Sequence, residues 1–154
     1  VNIRERSEEL YEKEASFSDH AKEQLKLLTS AMERILDLTN DAFENDDLAL
    51  ARQVEPMEEV IDIMVEKLRD QHIKRLKDGI CSIDTGVVFL DVLNNAERIS
   101  DHCSNIAGCV IDARAHNLNL HETLRQAKTA DGSFQQTYES YVEKYQLPVP
   151  SSNV

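Results

Sequence analysis

The sequence has few of the residues that interrupt helices. Its 154 residues include only 4 glycines, 3 prolines and no tryptophan, whereas glycine and proline together make up about 12% of an average protein. Hydrophobic residues account for 41% of the chain, which suffices for a core and argues against intrinsic disorder. With no alternating β pattern either, the sequence predicts an all-α protein with long helices.

Long apolar runs, basic residues and paired cysteines are also scarce. No run approaches the ~18 apolar residues of a membrane span, because acids interrupt the densest stretches, 60–65 and 87–93. Asp and Glu outnumber Lys and Arg by 29 to 17, a net charge of −12, so we expect no nucleic-acid partner. The three cysteines form no CxxC motif and are expected to be reduced thiols. The chain starts at Val1 without Met, and we expect it to be part of a longer polypeptide.

Hydrophobic periodicity predicts three long helices, over residues 17–43, 47–78 and 82–117. Apolar residues recur at alternating spacings of three and four, which is the pattern of helices packed lengthwise in a bundle. The short connections make the helices antiparallel neighbours, and helices of this length form an elongated antiparallel three-helix bundle. We assign residues 1–15 to a charged lead-in, 16–117 to the bundle, 118–147 to a C-terminal extension with additional helices, and 148–154 to a disordered tail.

Several local features predict where these helices begin and end. Asn45, Asp46 and Asp47 should end the first helix and cap the second, Gly79 should end the second in a left-handed turn, and Ser82 should cap the third. Pro56 predicts either a kink in the second helix or a main helix that starts at Pro56. In the extension, an aromatic stripe should pack on the core; it consists of Phe134, Tyr138, Tyr141 and Tyr145.

The predicted core row of the third helix turns acidic in the middle. The row runs through Ile83, Val87, Leu90, Asn94, Glu97, Asp101, Ser104, Gly108 and Ile111. Glu97 and Asp101 lie one turn apart on it, and Asn105 adds another oxygen donor one turn on. The second helix carries a similar pair, Glu58 and Asp62.

Four carboxylates on one surface repel one another, and burying one without a partner costs several kcal/mol. Three arrangements relieve this cost: the acids face water, they pair with an arginine such as Arg69, or they hold a cation. An all-oxygen set suits a hard ion such as Mg²⁺, Ca²⁺, Mn²⁺ or ferric iron. The spacing leaves all three open, with Glu58, Asp62, Glu97, Asp101 and Asn105 as the candidate metal ligands.

The stretch from Asn95 to Ala107, NAERISDHCSNIA, resembles the signature helix of PhoU-type domains. The segment from Asp46 through Glu58 and Asp62 resembles the family's second helix, and the resemblance covers about residues 17–113. Within this family, the run HIKRL at 72–76, then Gly79, Cys81 and Gly86, resembles the C-terminal cytoplasmic domain of bacterial sodium-dependent phosphate cotransporters (the Na/Pi type II-like family). The tail residues Leu120-His121 and Tyr145–Pro148 resemble the same subgroup.

The resemblance implies a three-helix unit that binds metal ions through paired acids and regulates phosphate uptake without being an enzyme. Glu58, Asp62, Glu97 and Asp101 match the family's acids, whereas Gly108 stands where the family often has a Glu, so this chain lacks one carboxylate of a full multinuclear cluster. The implied partner is a membrane-spanning part of the same polypeptide, which would place the domain on the cytoplasmic side of the plasma membrane.

Three further expectations concern alternatives and assembly. A carboxylate-bridged, metal-dependent phosphoesterase is one alternative function, and a purely structural interaction module with a solvated acidic face is another. A single unit leaves the motif side of its bundle uncovered, and the tyrosine stripe offers a second adhesive surface. We therefore expect a homo-oligomer.

Overall fold

The computed structural model of the chain describes residues 17–115, residue 128 and residues 133–147. This part of the chain is helical throughout apart from its connections, and it contains α1 (Asp19–Asn45), α2 (Leu48–Lys77), α3 (Ile83–Ala115) and α4 (Ser133–Lys144). Helices α1, α2 and α3 pack against one another in pairs, and α4 packs on α2. The predicted all-α bundle with a further C-terminal helix is confirmed. The predicted lead-in 1–15, the tail 148–154 and most of 116–132 lie outside the described residues.

Short polar side chains set the helix ends where the sequence predicts them. The Oδ1 atom of Asp47 accepts hydrogen bonds from the backbone N–H groups of Ala49 (2.8 Å) and Leu50 (3.1 Å), which satisfies two otherwise unpaired donors of α2. Asp46 before it adopts the left-handed conformation (φ 52°) that ends α1. Because the connection from α1 to α2 is only two residues long, the two helices lie antiparallel.

The turn between α2 and α3 is a Schellman motif. Gly79 has a φ of 68°, its N–H bonds the carbonyl of Leu76 (3.2 Å), and the N–H of Ile80 bonds the carbonyl of Arg75 (3.0 Å). Three residues later the Oγ atom of Ser82 accepts a hydrogen bond from the N–H of Thr85 (3.2 Å) and caps α3. Both predicted end signals, Gly79 and Ser82, are therefore confirmed.

Pro56 lies in the interior of one continuous helix. Since α2 runs unbroken from Leu48 to Lys77, the alternative in which a main helix starts at Pro56 is wrong. Proline has no N–H to donate to the carbonyl of Arg52, one turn earlier, so this hydrogen bond of the helix is missing. The Pro56 ring is buried, and its apolar contacts offset part of that loss.

The core rows of α1 and α2 follow the predicted spacing. On α2 the row comprises Val54, Met57, Ile61, Met64 and Leu68, all 3% exposed or less. At the end of the chain, Tyr141 and Tyr145 are buried with the core, while Phe134 and Tyr138 stack on each other with ring centroids 6.1 Å apart. The second half of the aromatic stripe therefore packs on the bundle as predicted and is not the adhesive surface that we expected for self-association.

The predicted core row of α3 is wrong by one residue. Ile83 and Val87, which begin the predicted row, are 79% and 47% exposed. Most of the buried residues belong to the adjacent row, Phe89, Leu93, Ala96, Ser100, Cys103, Ala107 and Val110, whereas of the predicted row only Ser104 and Gly108 are buried. Glu97 and Asp101 consequently lie at the margin of the core face, about 100° around the helix from the buried row.

Candidate metal site

The acids of α2 form one surface because of their spacing. Glu58, Glu59 and Asp62 follow Glu55 by three, four and seven positions, and residues at such offsets share one face of a helix. Glu55 is 7% exposed, and the other three side chains are half-buried. This face of α2 lies against α3, so the acids meet the side chains that α3 presents there.

Three carboxylates come together between α2 and α3, and we call them the carboxylate triad: Glu58, Asp62 and Asp101. Each offers an oxygen atom, and the three oxygens lie within 4.8 Å of one another. The Oδ1 atom of Asp62 is buried and, among the described residues, has no hydrogen-bond partner. An orphaned buried acceptor beside two further carboxylates is an arrangement that a bound cation would satisfy.

The electrostatics of the triad show how costly its full ionisation is. Burial first, and then the negative charges of Asp62 and Glu55, raise the pKa of Glu58 to about 8. Burial, followed by the charges of Asp101 and Glu97, raises the pKa of Asp62 to about 6. The charge of Lys128 acts in the opposite direction on both carboxylates, but burial and the neighbouring acids outweigh it, so both pKa values remain raised in the metal-free protein.

Glu97, the other acid of the α3 motif, is engaged by an arginine. The Nη2 atom of Arg69 lies 2.9 Å from Oε2 of Glu97 and 3.2 Å from Oδ1 of Asn94, both on α3. Arg69 thus bridges α2 to α3 instead of pairing with Glu58 or Asp62. Asn105, one turn beyond Asp101, is exposed. The structure brings together Glu58, Asp62 and Asp101, whereas Glu97 pairs with Arg69.

Glu55 is the buried acid whose partners the sequence did not reveal. The hydroxyl of Ser104 on α3 donates a hydrogen bond to Oε2 of Glu55, and the ammonium group of Lys128 lies 3.0 Å from its Oε1. The same ammonium group also forms an ion pair with Oε1 of Glu59. Ser104 stood in the predicted core row without an assigned role, and no local signal connects Lys128 to residues about 70 positions earlier.

The described residues show two of the arrangements that relieve clustered acids, and the triad is a candidate for the third. Asp101 faces water, Glu97, Glu55 and Glu59 pair with basic side chains, and the triad offers a cation site. An all-oxygen donor set of this kind fits a hard ion such as Mg²⁺, Ca²⁺, Mn²⁺ or ferric iron. No thiol or imidazole belongs to the groups of ligand atoms found among these residues.

The histidines and a cavity lie apart from the carboxylates. His72 is buried and stacks on Phe89 with ring centroids 4.7 Å apart, which gives it a packing role. It helps to line a cavity of about 280 Å³ between the starts of α1 and α3 and the end of α2. The residues that line this cavity are Phe17, Ser18, Ala21, His72, Arg75, Ile80, Cys81, Ser82, Thr85 and Phe89. Because none of them is an acid, the carboxylate triad does not open into this cavity.

No helix in the described part of the chain has an apolar stretch long enough to cross a membrane. Its cysteines, Cys81, Cys103 and Cys109, are all free thiols, of which only Cys103 is buried.

Comparison with known proteins agrees with the motif. Residues 25–110 match the PhoU domain family. The phosphate-specific transport system accessory protein PhoU homolog 1 of Thermotoga maritima is 30% identical over 106 residues, which cover 67% of this chain and 45% of that protein. This chain thus spans less than half the length of that relative. No solved structure matches this chain. Since the family match includes all three helices of the bundle and both acidic pairs, the chain belongs to the PhoU domain family.

Proposed function

We propose that this chain is a metal-binding regulatory domain that modulates phosphate uptake and is not itself an enzyme. The observation that carries the proposal is the carboxylate triad, which lies within the region of family similarity and joins the family's two acidic motifs. The name of the Thermotoga maritima relative, an accessory protein of a phosphate-specific transport system, supports a regulatory role.

The metal ion would be held by Glu58, Asp62 and Asp101, whose oxygens already converge. It would supply positive charge between two helices and so stabilise the ionised form of all three carboxylates. The protein's own part is to orient the ligands: α2 presents Glu58 and Asp62 one turn apart, and the Arg69–Glu97 ion pair joins α2 to α3 beside Asp101. Binding would therefore favour one arrangement of α2 against α3, which is what regulation through a ligand requires.

The finer proposal is that the transporter is a sodium-dependent phosphate cotransporter and that its membrane-spanning part belongs to the same polypeptide. The support is the resemblance of residues 72–86 and of the tail residues Leu120-His121 and Tyr145–Pro148 to that subgroup. The domain would then lie on the cytoplasmic side of the plasma membrane. Sequencing the gene upstream of the codon for Val1 tests this part, since several encoded membrane spans are expected there.

We also propose that the chain forms a homo-oligomer. Large apolar side chains are exposed where α2 ends and α3 begins, at Ile80, Ile83 and Val87, and such side chains lose unfavourable contact with water when a partner covers them. Light scattering at micromolar concentration should show a mass above 17.5 kDa, and a monodisperse monomer would contradict self-association.

The two alternative functions have less support. A phosphoesterase needs a concave site in which water and substrate meet the metal, whereas Asp101 is exposed and the described cavity contains none of the triad. A purely structural module has no use for the orphaned, buried oxygen of Asp62. Phosphoester turnover by the purified chain would support the first alternative.

The experiment that tests the regulatory role uses the intact transporter. The double variant Asp62→Asn/Asp101→Asn should change how phosphate uptake responds to phosphate supply while leaving transport itself possible. Glu66→Gln/Asp70→Asn is the matched control, because it removes two exposed acids one turn apart on α2 that belong neither to the triad nor to the Arg69–Glu97 ion pair. A double variant that responds to phosphate supply as the wild type does would overturn the proposal.

A further inference from the structure

The second group of converging acids in this surface is already occupied by a cation from the chain itself. We call this group the glutamate trio: Glu55, Glu58 and Glu59, whose oxygens also lie within 4.8 Å of one another. It shares Glu58 with the carboxylate triad, so Glu58 is a candidate ligand in both groups. The ammonium group of Lys128, however, lies at the trio and forms ion pairs with both Glu55 and Glu59.

We infer that Lys128 takes the place of a second metal ion and limits this PhoU-type unit to a single ion, bound at the carboxylate triad. The inference rests on the proposed metal-binding function and adds what sets the number of ions. It assigns to Lys128 a role for which the α2 and α3 motifs give no indication.

The first support for this role of Lys128 comes from the contacts of Glu55. Its Oε1 accepts from Lys128 and its Oε2 accepts from Ser104, so both oxygens already have a donor. Because the side chain is 9% exposed, water cannot replace a lost donor easily. An incoming ion would have to displace Lys128 to reach Oε1 or Ser104 to reach Oε2.

The second support for this role comes from the position of the ammonium group of Lys128. A lysine ammonium is a compact positive charge that can lie where a metal ion would. Lys128 contacts Glu55 and Glu59 at once, as a shared ion would, and its charge repels any further cation at the trio. Its aliphatic stem comes from beyond α3 in the sequence, so the charge is tethered and present at any metal concentration.

The third support comes from the contrast between the glutamate trio and the carboxylate triad. Among the described residues, no basic side chain forms an ion pair with Glu58, Asp62 or Asp101, whereas both other members of the trio have one. The same surface therefore has one group in which two acids form ion pairs with Lys128 and a second group, the triad, in which no acid forms an ion pair within the described part of the chain. Only the second needs an external ion.

The test is the number of Mn²⁺ ions bound per chain, measured by calorimetric titration and by elemental analysis after gel filtration. At the Mn²⁺ concentration that saturates the wild type, we expect one ion in the wild type and two in Lys128→Met. Lys22→Met is the matched control, because Lys22 also pairs with an acid, Asp19 at 3.2 Å, but on α1, and it should bind one ion. Lys128→Arg keeps the charge and should also bind one.

Each outcome has a distinct meaning. One ion in both the wild type and Lys128→Met, or two in the wild type, overturns the inference and leaves the metal-binding function standing. No ion in any of the proteins overturns the inference and the metal-binding function together. If circular dichroism shows that Lys128→Met does not fold, Lys128→Gln replaces it, because its amide can still donate to Glu55 and Glu59 without carrying a charge. One ion in folded Lys128→Gln then overturns the inference.

Discussion

Arg69 on α2 forms an ion pair with Glu97 on α3, with 2.9 Å between Nη2 and Oε2. Because of this contact, the two acids of the α3 motif, Glu97 and Asp101, have different roles. Glu97 joins the helices to each other, whereas Asp101, one turn further on, converges with Glu58 and Asp62. Two acids that look equivalent in the sequence therefore have different partners.

The first prediction follows from this difference. Glu97→Gln should lower the free energy of unfolding by less than about 1 kcal/mol, because both partners of the ion pair are more than a third exposed in their side chains and water screens such pairs. It should weaken Mn²⁺ binding by less than about tenfold, or 1.4 kcal/mol. Urea denaturation and calorimetry measure both quantities, and a larger loss of affinity would make Glu97 a ligand.

Asp101→Asn should have opposite effects on binding and on stability. Without metal, removing one of the converging charges should raise the free energy of unfolding by about 1 kcal/mol, the repulsion between two carboxylates near a solvated surface. With metal, the loss of a ligand should reduce the affinity for Mn²⁺ more than Glu97→Gln does. A variant that is less stable than the wild type in the presence of chelator would show that Asp101 is not in repulsion with the triad.

The metal-free protein should lose stability as the pH rises from about 4 to about 8. Glu58 and Asp62 have ordinary pKa values of 4.5 and 3.8, and burial beside other acids raises these pKa values in the folded state to about 8 and about 6. The folded state therefore binds more protons than the unfolded state over this range, and linkage makes unfolding easier as those protons are lost.

The comparison of wild type with Glu58→Gln isolates that effect from the general repulsion of an acidic chain. In chelator, the melting temperature of the wild type should fall more steeply between pH 5.5 and pH 8.5 than that of the variant. Parallel curves for the two proteins would show that Glu58 ionises as it does in the unfolded chain.

Gly86→Ala should destabilise the bundle at the end opposite to the α1–α2 turn. A Cβ atom at Gly86 would lie 3.0 Å from Nε2 of His72 and 3.0 Å from Cδ2 of Leu76, and His72 cannot withdraw freely because it stacks on Phe89. Overpacking of this kind costs about 1–3 kcal/mol. In a His72→Ala background the cost should shrink, and an equal cost in both backgrounds would exclude the imidazole as its cause.

The sequence predicts the helix ends well because capping is local. Asp47, Gly79 and Ser82 each act on backbone groups within four residues, so their residue types alone indicate where α2 begins, where it ends and where α3 begins. The core row of α2 was equally predictable from the sequence, because its large apolar side chains recur in only one row of the helix.

The core row of α3 was harder to predict because two adjacent rows satisfy the same spacing. The predicted row begins with the larger side chains Ile83 and Val87, whereas the buried row contains small ones such as Ala96, Ser100 and Ala107. Small side chains allow closely packed helices, a property of the assembled bundle that a count of apolar residues does not capture.

The site was predictable in part for a related reason. Glu58 and Asp62 are neighbours on one helix, so spacing alone pairs them, and the motif on α3 added Asp101. The partners of Glu97 and Glu55 depend on tertiary contacts, since Arg69 and Lys128 lie 28 and about 70 positions away in the sequence. No periodicity within a helix indicates contacts of that range.

Thermal unfolding of the wild-type chain with and without chelator tests the central claim, that the carboxylate triad holds a metal ion, most directly. Because an ion that binds only the folded state stabilises it, the melting temperature should fall when EDTA removes the metal and recover when Mn²⁺ is added in excess. Asp62→Asn should show little of this response. Identical melting curves under all three conditions, together with no metal in elemental analysis, would contradict the claim and leave the acids as a solvated surface.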